Sequence, residues 1–197
     1  MTANNTPNTL HRAPVRTMSR GDNTVDPPVV GRLTAEEFKS VFRRHPAGVT
    51  VITLREHEQL IGFTATSVIS VSADPPLLAF SVAGQSSSWP ALATAGTVVI
   101  NFLTAGQADL SARFATSGID RFACGGWSLL DTGEPFLHNS ANWVRGRIVQ
   151  RTPVGASFLI CVEALDSSIR TTEQAPDRTA LVYADHIYHQ LSTTSAL

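Results

Sequence analysis

Five hydroxyl side chains, Thr64, Thr66, Ser67, Ser70 and Ser72, fall in a segment, residues 62–78, that is strand-like, sparing in large side chains and interrupted by Pro75-Pro76. Each O–H can donate to a phosphoryl oxygen, and short side chains let a planar ring approach the backbone closely. Taken alone, such a segment reads as an ordinary polar-faced strand running into a turn. More donors recur downstream: Ser86, Ser87 and Ser88 before an expected helix, Asn101 in an expected strand and Arg113 near a helix end. Hydroxyls and helix-start amides together favour an anion without a basic cluster. Arg113 could complete the charge balance with a two-pronged contact.

Other chemistries lack the residues they need. No glycine-rich dinucleotide fingerprint follows any expected strand, and Gly125-Gly126 beside Trp127 reads as a turn. There is no Gly-x-Ser-x-Gly elbow, and no spacing of Ser, His and Asp singles out a triad, so no acid–base or nucleophilic residue is assigned. Cys124 and Cys161 are the two cysteines. Their separation suggests neither a metal site nor a disulfide framework, and two free thiols suit a reducing cytoplasm. The net charge is −1 with scattered basic residues, nearly all Arg, which argues against nucleic acid or a membrane surface as partner. No apolar run reaches the length of a membrane span and no signal peptide is visible, so a cytoplasmic location is expected.

The elements that would position these donors follow from pattern. A chain of 197 residues with 43% hydrophobic content suggests one domain. Residues 1–32, rich in Asn, Thr, Pro and Arg, read as a flexible tail, and residues 33–197 as the folded domain. Thr34 to Glu37 forms a capping-box pattern ahead of Phe38, Val41 and Phe42 on one helical face, and His45 before Pro46 ends that helix. Strands are expected over 49–54 and 60–66 as a hairpin, then over 77–82, 97–103, 142–151, 156–169 and 180–183. A short helix is expected over 87–94, and a second, opened by a capping box from Thr104 to Gln107, through Phe114. Many short strands with few helices point to a mainly β barrel core rather than a doubly wound α/β sheet.

The order and spacing of several segments resemble the flavin reductase-like family, the NAD(P)H-dependent reductase components of two-component flavin monooxygenases. These segments include Phe42-Arg-Arg-His-Pro-Ala-Gly48 running on to Thr53, Gly62-Phe-Thr-Ala-Thr-Ser67, Ser70 to Leu77, Ser86 to Trp89 and Val99 to Leu103. Ser111-Ala-Arg-Phe114, Asp120-Arg-Phe122, Gly133 to Phe136 and Leu181-Val-Tyr183 continue the match. The resemblance spans about Leu33 to Leu191. It implies a split β-barrel homodimer with flavin in a groove near the subunit interface.

Carried over by position, the resemblance implies that Thr64, Ala65, Thr66 and Ser67 run along the isoalloxazine and ribityl chain. Ser72, Ser86 and Ser88 would serve the phosphate, with Trp89 and Asn101 close by and the Arg113–Phe114 pair lining the site. His186 and Tyr188 would help hold the nicotinamide. Two departures stand out. Gly155-Ala-Ser157 occupies the place of the family's Gly-Asp-His, whose His is associated with nicotinamide binding, and Ala47 stands where relatives often carry Thr.

The activity implied is hydride transfer from NADH or NADPH to FMN or FAD, with reduced flavin passing to a partner monooxygenase. The cofactor holds the reactive electronics, so no general acid or base is required for the transfer. The missing family histidine keeps open a flavin carrier or sensor without NAD(P)H turnover, and a pyridoxamine-phosphate oxidase-like activity is a remoter alternative. No metal is expected.

Overall fold

The computed structural model describes residues 31–169 and 179–191. The chain divides into two units, Met1–Thr34 and Ala35–Leu197. Only residues 31–34 of the first are described, so the tail assigned to residues 1–32 lies almost entirely outside the described residues. The second unit carries the fold.

In chain order its elements are α1 (Ala35–Arg43), β1 (Ala47–Gly48), β2 (Thr50–Glu56), β3 (Gln59–Ala65), β4 (Ile69–Ala73), β5 (Pro76–Ala83), α2 (Trp89–Thr94) and β6 (Thr97–Phe102). A 3₁₀ turn (Ala105–Gln107) then leads into α3 (Ala108–Ala115). There follow β7 (Trp127–Leu129), β8 (Pro135–Leu137), β9 (Asn142–Val154), β10 (Ser157–Ser167), β11 (Leu181–Ala184) and β12 (Ile187–Gln190). The fold is mainly β with a few short helices, as the sequence indicates. Among the described residues no helix is long and apolar enough to cross a membrane.

Seven strands form one antiparallel sheet in the order β3-β2-β6-β9-β10-β5-β4. The first five residues of β2, Thr50 to Leu54, are buried without alternation. Both faces of this strand are covered, so its two threonines are buried along with the apolar residues and bond to backbone carbonyls. Ile52 and Leu54 join Phe63, Phe80, Val98, Ile100 and Ile160 in the larger core. Val49 and Val51 join Leu103, Phe114, Phe122, Leu137 and Leu181 in a second core beneath α3. Burial of side chains this size contributes about 1.5–3 kcal/mol each.

The sheet curls. Ser67, just past β3, accepts a hydrogen bond at Oγ from the Ser81 amide (3.0 Å) and donates to its carbonyl (3.2 Å), tying the exit of β3 to β5. The hydroxyl-rich segment is therefore two pieces rather than one strand: it breaks at residues 66–68 and returns as β4. Its hydroxyls divide between the two.

Three further features add to the sequence reading. The capping box at Thr104 forms, with the Thr104 amide donating to Gln107 Oε1 (3.0 Å), but it opens the 3₁₀ turn, and α3 follows. The apolar face of α1 made by Phe38, Val41 and Phe42 is open, each of the three more than half exposed. Short pairings that pattern rules do not resolve form two further small sheets, β1-β11-β12 and β7-β8, separate from the main one.

Candidate functional site

Where β3 ends, the crossing to β4 opens a trough with two lobes that share Thr66, Ser67 and Ser81. The first lobe, about 440 Å³, runs between the end of β3, the turn after β5 and the end of α3, with Thr64, Ala65, Ser86, Ser87, Ser117 and Arg121 on its walls. The second, about 630 Å³, lies between the end of α1, β1 and the β11–β12 turn, with Arg43, His45, Ala47, Tyr183 and His186 around it. Among the described residues no carboxylate side chain lines either lobe. Each has basic side chains, which makes both ends of the trough attractive to anions.

Local packing sets the first lobe. Thr64 Oγ1 donates to the Ser111 carbonyl (2.6 Å) and so pins α3 alongside β3. Gly62 permits this approach, because a Cβ there would stand 2.5 Å from the Phe114 ring. Phe114 is fully buried under the lobe and meets Phe122 edge-on at 5.1 Å. With Thr64 and Ser67 bonded to backbone, the hydroxyls left for a ligand are those of Thr66, Ser81, Ser86, Ser87 and Ser117. Ser86 Oγ accepts from the Ser88 amide (3.3 Å) and keeps its own hydrogen to donate.

Arg121 closes the far end. Its Nε donates to the Thr116 carbonyl (2.9 Å), and its Nη1 to the Gly62 carbonyl (2.6 Å) and Ser88 Oγ (3.4 Å). Nη2 has no protein partner among the described residues, yet is not a buried orphan. Desolvation lowers the guanidinium pKa from its ordinary value. A bound anion would act in the opposite direction.

At the second lobe, Asp185 and His186 form a tight turn with φ of 50° and 63°. The Asp185 amide donates to the Arg43 carbonyl (2.6 Å), coupling that turn to the end of α1. This bond holds His186 and Arg43 on the same lobe.

Thr64, Ala65, Thr66, Ser67, Ser86 and Phe114 thus gather at the first lobe and His186 at the second. The other candidates are elsewhere. Asn101 is fully buried and satisfied: Nδ2 donates to the Val51 carbonyl (3.0 Å) and Thr53 Oγ1 (3.1 Å), and Oδ1 accepts from the Leu137 amide (2.8 Å). Trp89 stacks on Phe158 at 3.6 Å and 12°, so that ring face is taken by the protein. Ser72 pairs with Leu77 on β4 and lines neither lobe. Ser88 is buried and acts on the site by bonding Arg121.

Arg113 also lines neither lobe. Its Nε is buried without a partner, and its guanidinium lies 5.7 Å from the Phe114 ring centroid. The Tyr188 hydroxyl donates to Ser111 Oγ (3.0 Å) and its ring packs on the second core, so it supports α3 rather than the lobe. The short helix α2 follows Ser88, but no side-chain cap bond forms there. The groups that the first lobe offers to an anion are hydroxyls and a guanidinium rather than a helix start. Arg121, which lines the first lobe, was not singled out from the sequence. The available signal was Asp120-Arg-Phe122 just after α3, where Asp120 Oδ1 accepts from the Phe122 amide (2.9 Å) and sets the turn that presents Arg121.

Residues 42–192 match the flavin reductase like domain. An NADH:FMN oxidoreductase from Rhodococcus qingshengii is 46% identical over 65% of this chain and 67% of its own length. The reductase subunit HsaB of a flavin-dependent monooxygenase from Mycobacterium tuberculosis is 32% identical over 65% of this chain and 70% of its own. The crystal structure of a flavin reductase domain protein from Arthrobacter sp. FB24 superposes with a TM-score of 0.73 at 36% identity, covering 79% of this chain and 94% of that one. The chain belongs to the flavin reductase like family.

Proposed function

We propose that this flavin reductase like chain is an NAD(P)H-dependent flavin reductase that reduces FMN or FAD and supplies the product to a partner monooxygenase. The observation that carries this reading is the two-lobed, carboxylate-free trough with basic groups at both ends, Arg121 at one and Arg43, His45 and His186 at the other. A flavin and a pyridine nucleotide each bring a planar ring and a phosphate end. Bringing two such rings together requires anion recognition at opposite ends and small residues between.

Bound flavin would supply the ring that accepts hydride. The chain's residues hold and orient. Thr66 and the backbone around Ala65 and Ser67 border the ring position, while Ser86, Ser87 and Arg121 serve the phosphate through charge-assisted bonds. Arg43, His45 and His186 serve the nicotinamide nucleotide, with Ala47 leaving room where a hydroxyl would otherwise reach in. Holding both rings in register converts a two-body encounter into a positioned one. Neither lobe offers a carboxylate for acid–base work, and hydride transfer requires none.

The assembly proposed is a homodimer, in the cytoplasm. Ile69 lies across from Ala79 on one sheet face, next to Ser81 and Leu159, and Ile69 and Leu159 are exposed. Ile69 and Ser81 also border the second lobe, so a partner covering this face would roof the site. The open face of α1 offers further apolar surface for the same purpose. The curled, incompletely closed sheet fits the split barrel implied by the sequence.

One observation favours a second reading, a flavin carrier or sensor: Gly155-Ala-Ser157 forms the β9–β10 turn without the family's histidine. Adding NADH or NADPH anaerobically to flavin-loaded protein separates the two. Loss of the visible flavin absorbance is expected of the reductase, and a flavin-loaded chain that stays coloured is a carrier.

A further inference from the structure

On the other side of Arg121 from the first lobe lies a separate cleft of about 220 Å³ with no role in the account so far. We propose that it is a subsite for adenosine 5′-phosphate, through which the chain holds FAD more tightly than FMN. The proposal rests on the reading of the neighbouring trough as the flavin site, and it names the form of flavin that the site favours.

The cleft and the first lobe share two residues, Ser87 and Arg121. These are the groups at the phosphate end of the trough, so a chain of two phosphates leaving that end passes the Arg121 guanidinium and enters the cleft. Three needs of an adenylate are met there in order. Charge is met by Arg121, whose Nε and Nη1 are held by Thr116, Gly62 and Ser88 while Nη2 keeps its hydrogens. A purine face needs apolar walls, and Leu60, Ile61 and Ile119 provide them. Ile119 is 48% exposed, a large apolar side chain standing at the cleft that the described residues leave uncovered. A ribose diol needs an acceptor. Asp120 lines the same cleft, and with Oδ1 taken by the Phe122 amide, Oδ2 has no partner among the described residues.

This carboxylate sets the cleft apart from the trough. Both lobes of the trough exclude carboxylates, as sites for anionic groups do, whereas this cleft has a cation at its entrance and an anion further along. A terminal phosphate alone would use the first and leave the second idle. The volume suits a purine with part of its ribose and is too small for a second three-ring system. An adenylate is also present in a pyridine nucleotide, but the basic groups proposed for that ligand line the far lobe.

The test is equilibrium titration of FMN and of FAD with the purified full chain, followed by flavin fluorescence, together with steady-state NADH kinetics, for wild type and Ile119→Glu. The side chain is exposed, so the substitution is compatible with the fold, and it places a carboxylate against both phosphate and purine. Wild type is expected to bind FAD at least about tenfold more tightly than FMN. In Ile119→Glu the FAD affinity should drop by about tenfold or more while FMN moves less than about twofold. Equal affinities for the two flavins in wild type, or a variant that weakens both alike, overturns the subsite. A variant that raises the KM for NADH and preserves the FAD-to-FMN ratio assigns the adenylate chemistry to the pyridine nucleotide and overturns the proposal as well. Tight FMN binding without gain from the adenylate removes the subsite alone, whereas failure of both flavins to bind removes the reading of the trough with it.

Discussion

Arg121 is fixed by three hydrogen bonds to protein and retains one free prong, and Arg113, in the last turn of α3, has its Nε buried away from the trough. The two arginines make a sharp residue-scale contrast. Arg121→Met should weaken flavin binding about ten- to a hundredfold, the range expected for loss of a charge-assisted contact to phosphate. Arg113→Ala should change flavin affinity less than about threefold, while lowering the melting temperature through lost packing on Phe114. Fluorescence titration beside thermal melting checks both. Sequence reasoning reached the hydroxyls because Thr64 to Ser67 stand together in the chain. It singled out Arg113 because an Arg beside Phe114 is a local pattern, whereas the placement of Arg121 on the trough depends on Gly62 admitting Phe114 and on the turn set by Asp120.

At the scale of elements, polar side chains clamp the strands that support the trough. Asn101 on β6 bonds β2 and β8, so Asn101→Leu should cost roughly 2 kcal/mol by leaving the buried Leu137 amide without a partner and breaking the side-chain bonds to β2. Denaturant unfolding measures this, and the flavin affinity of the folded variant should be unchanged, in keeping with its place in the core. Glu134, 4% exposed, accepts from Thr97 Oγ1 on β6 (2.5 Å), from Arg145 Nε on β9 (2.9 Å) and from Thr132 Oγ1. Burial alone would raise its pKa, but the bonds from Arg145, Thr132 and Thr97 outweigh that and hold it at about 2, below the ordinary 4.5.

A depressed carboxylate stabilises the fold above its unfolded pKa, and that contribution is lost as pH falls from about 4.5 toward 2. Glu134→Gln should therefore cost roughly 3 kcal/mol near neutral pH, with the gap to wild type closing over that acid window. Urea unfolding across a pH series reads it. The long strands and the Thr104 capping box were legible because periodicity and caps are local. The break at residues 66–68 was not, since hydroxyl residues continue through it and the cause, Ser67 bonding to Ser81, is a long-range contact.

At the scale of the whole molecule, the sequence resemblance conveyed a mainly β fold, and the structure adds surfaces that a single chain leaves uncovered. Ile69 and Leu159 on the sheet, with Phe38, Val41 and Phe42 on α1, are exposed beside or near the second lobe. Sedimentation of the purified chain should give a dimer, and Leu159→Glu should shift it toward monomer while retaining secondary structure. A monomeric wild type would remove the roof proposed for the site. The most direct test of the central claim, that the trough beyond β3 holds a flavin, is titration of FMN or FAD with the chain while following flavin fluorescence. The account predicts a saturating change at one flavin per chain that Arg121→Met shifts to higher concentration. Fluorescence that keeps its free-solution value throughout the titration with both flavins would contradict it.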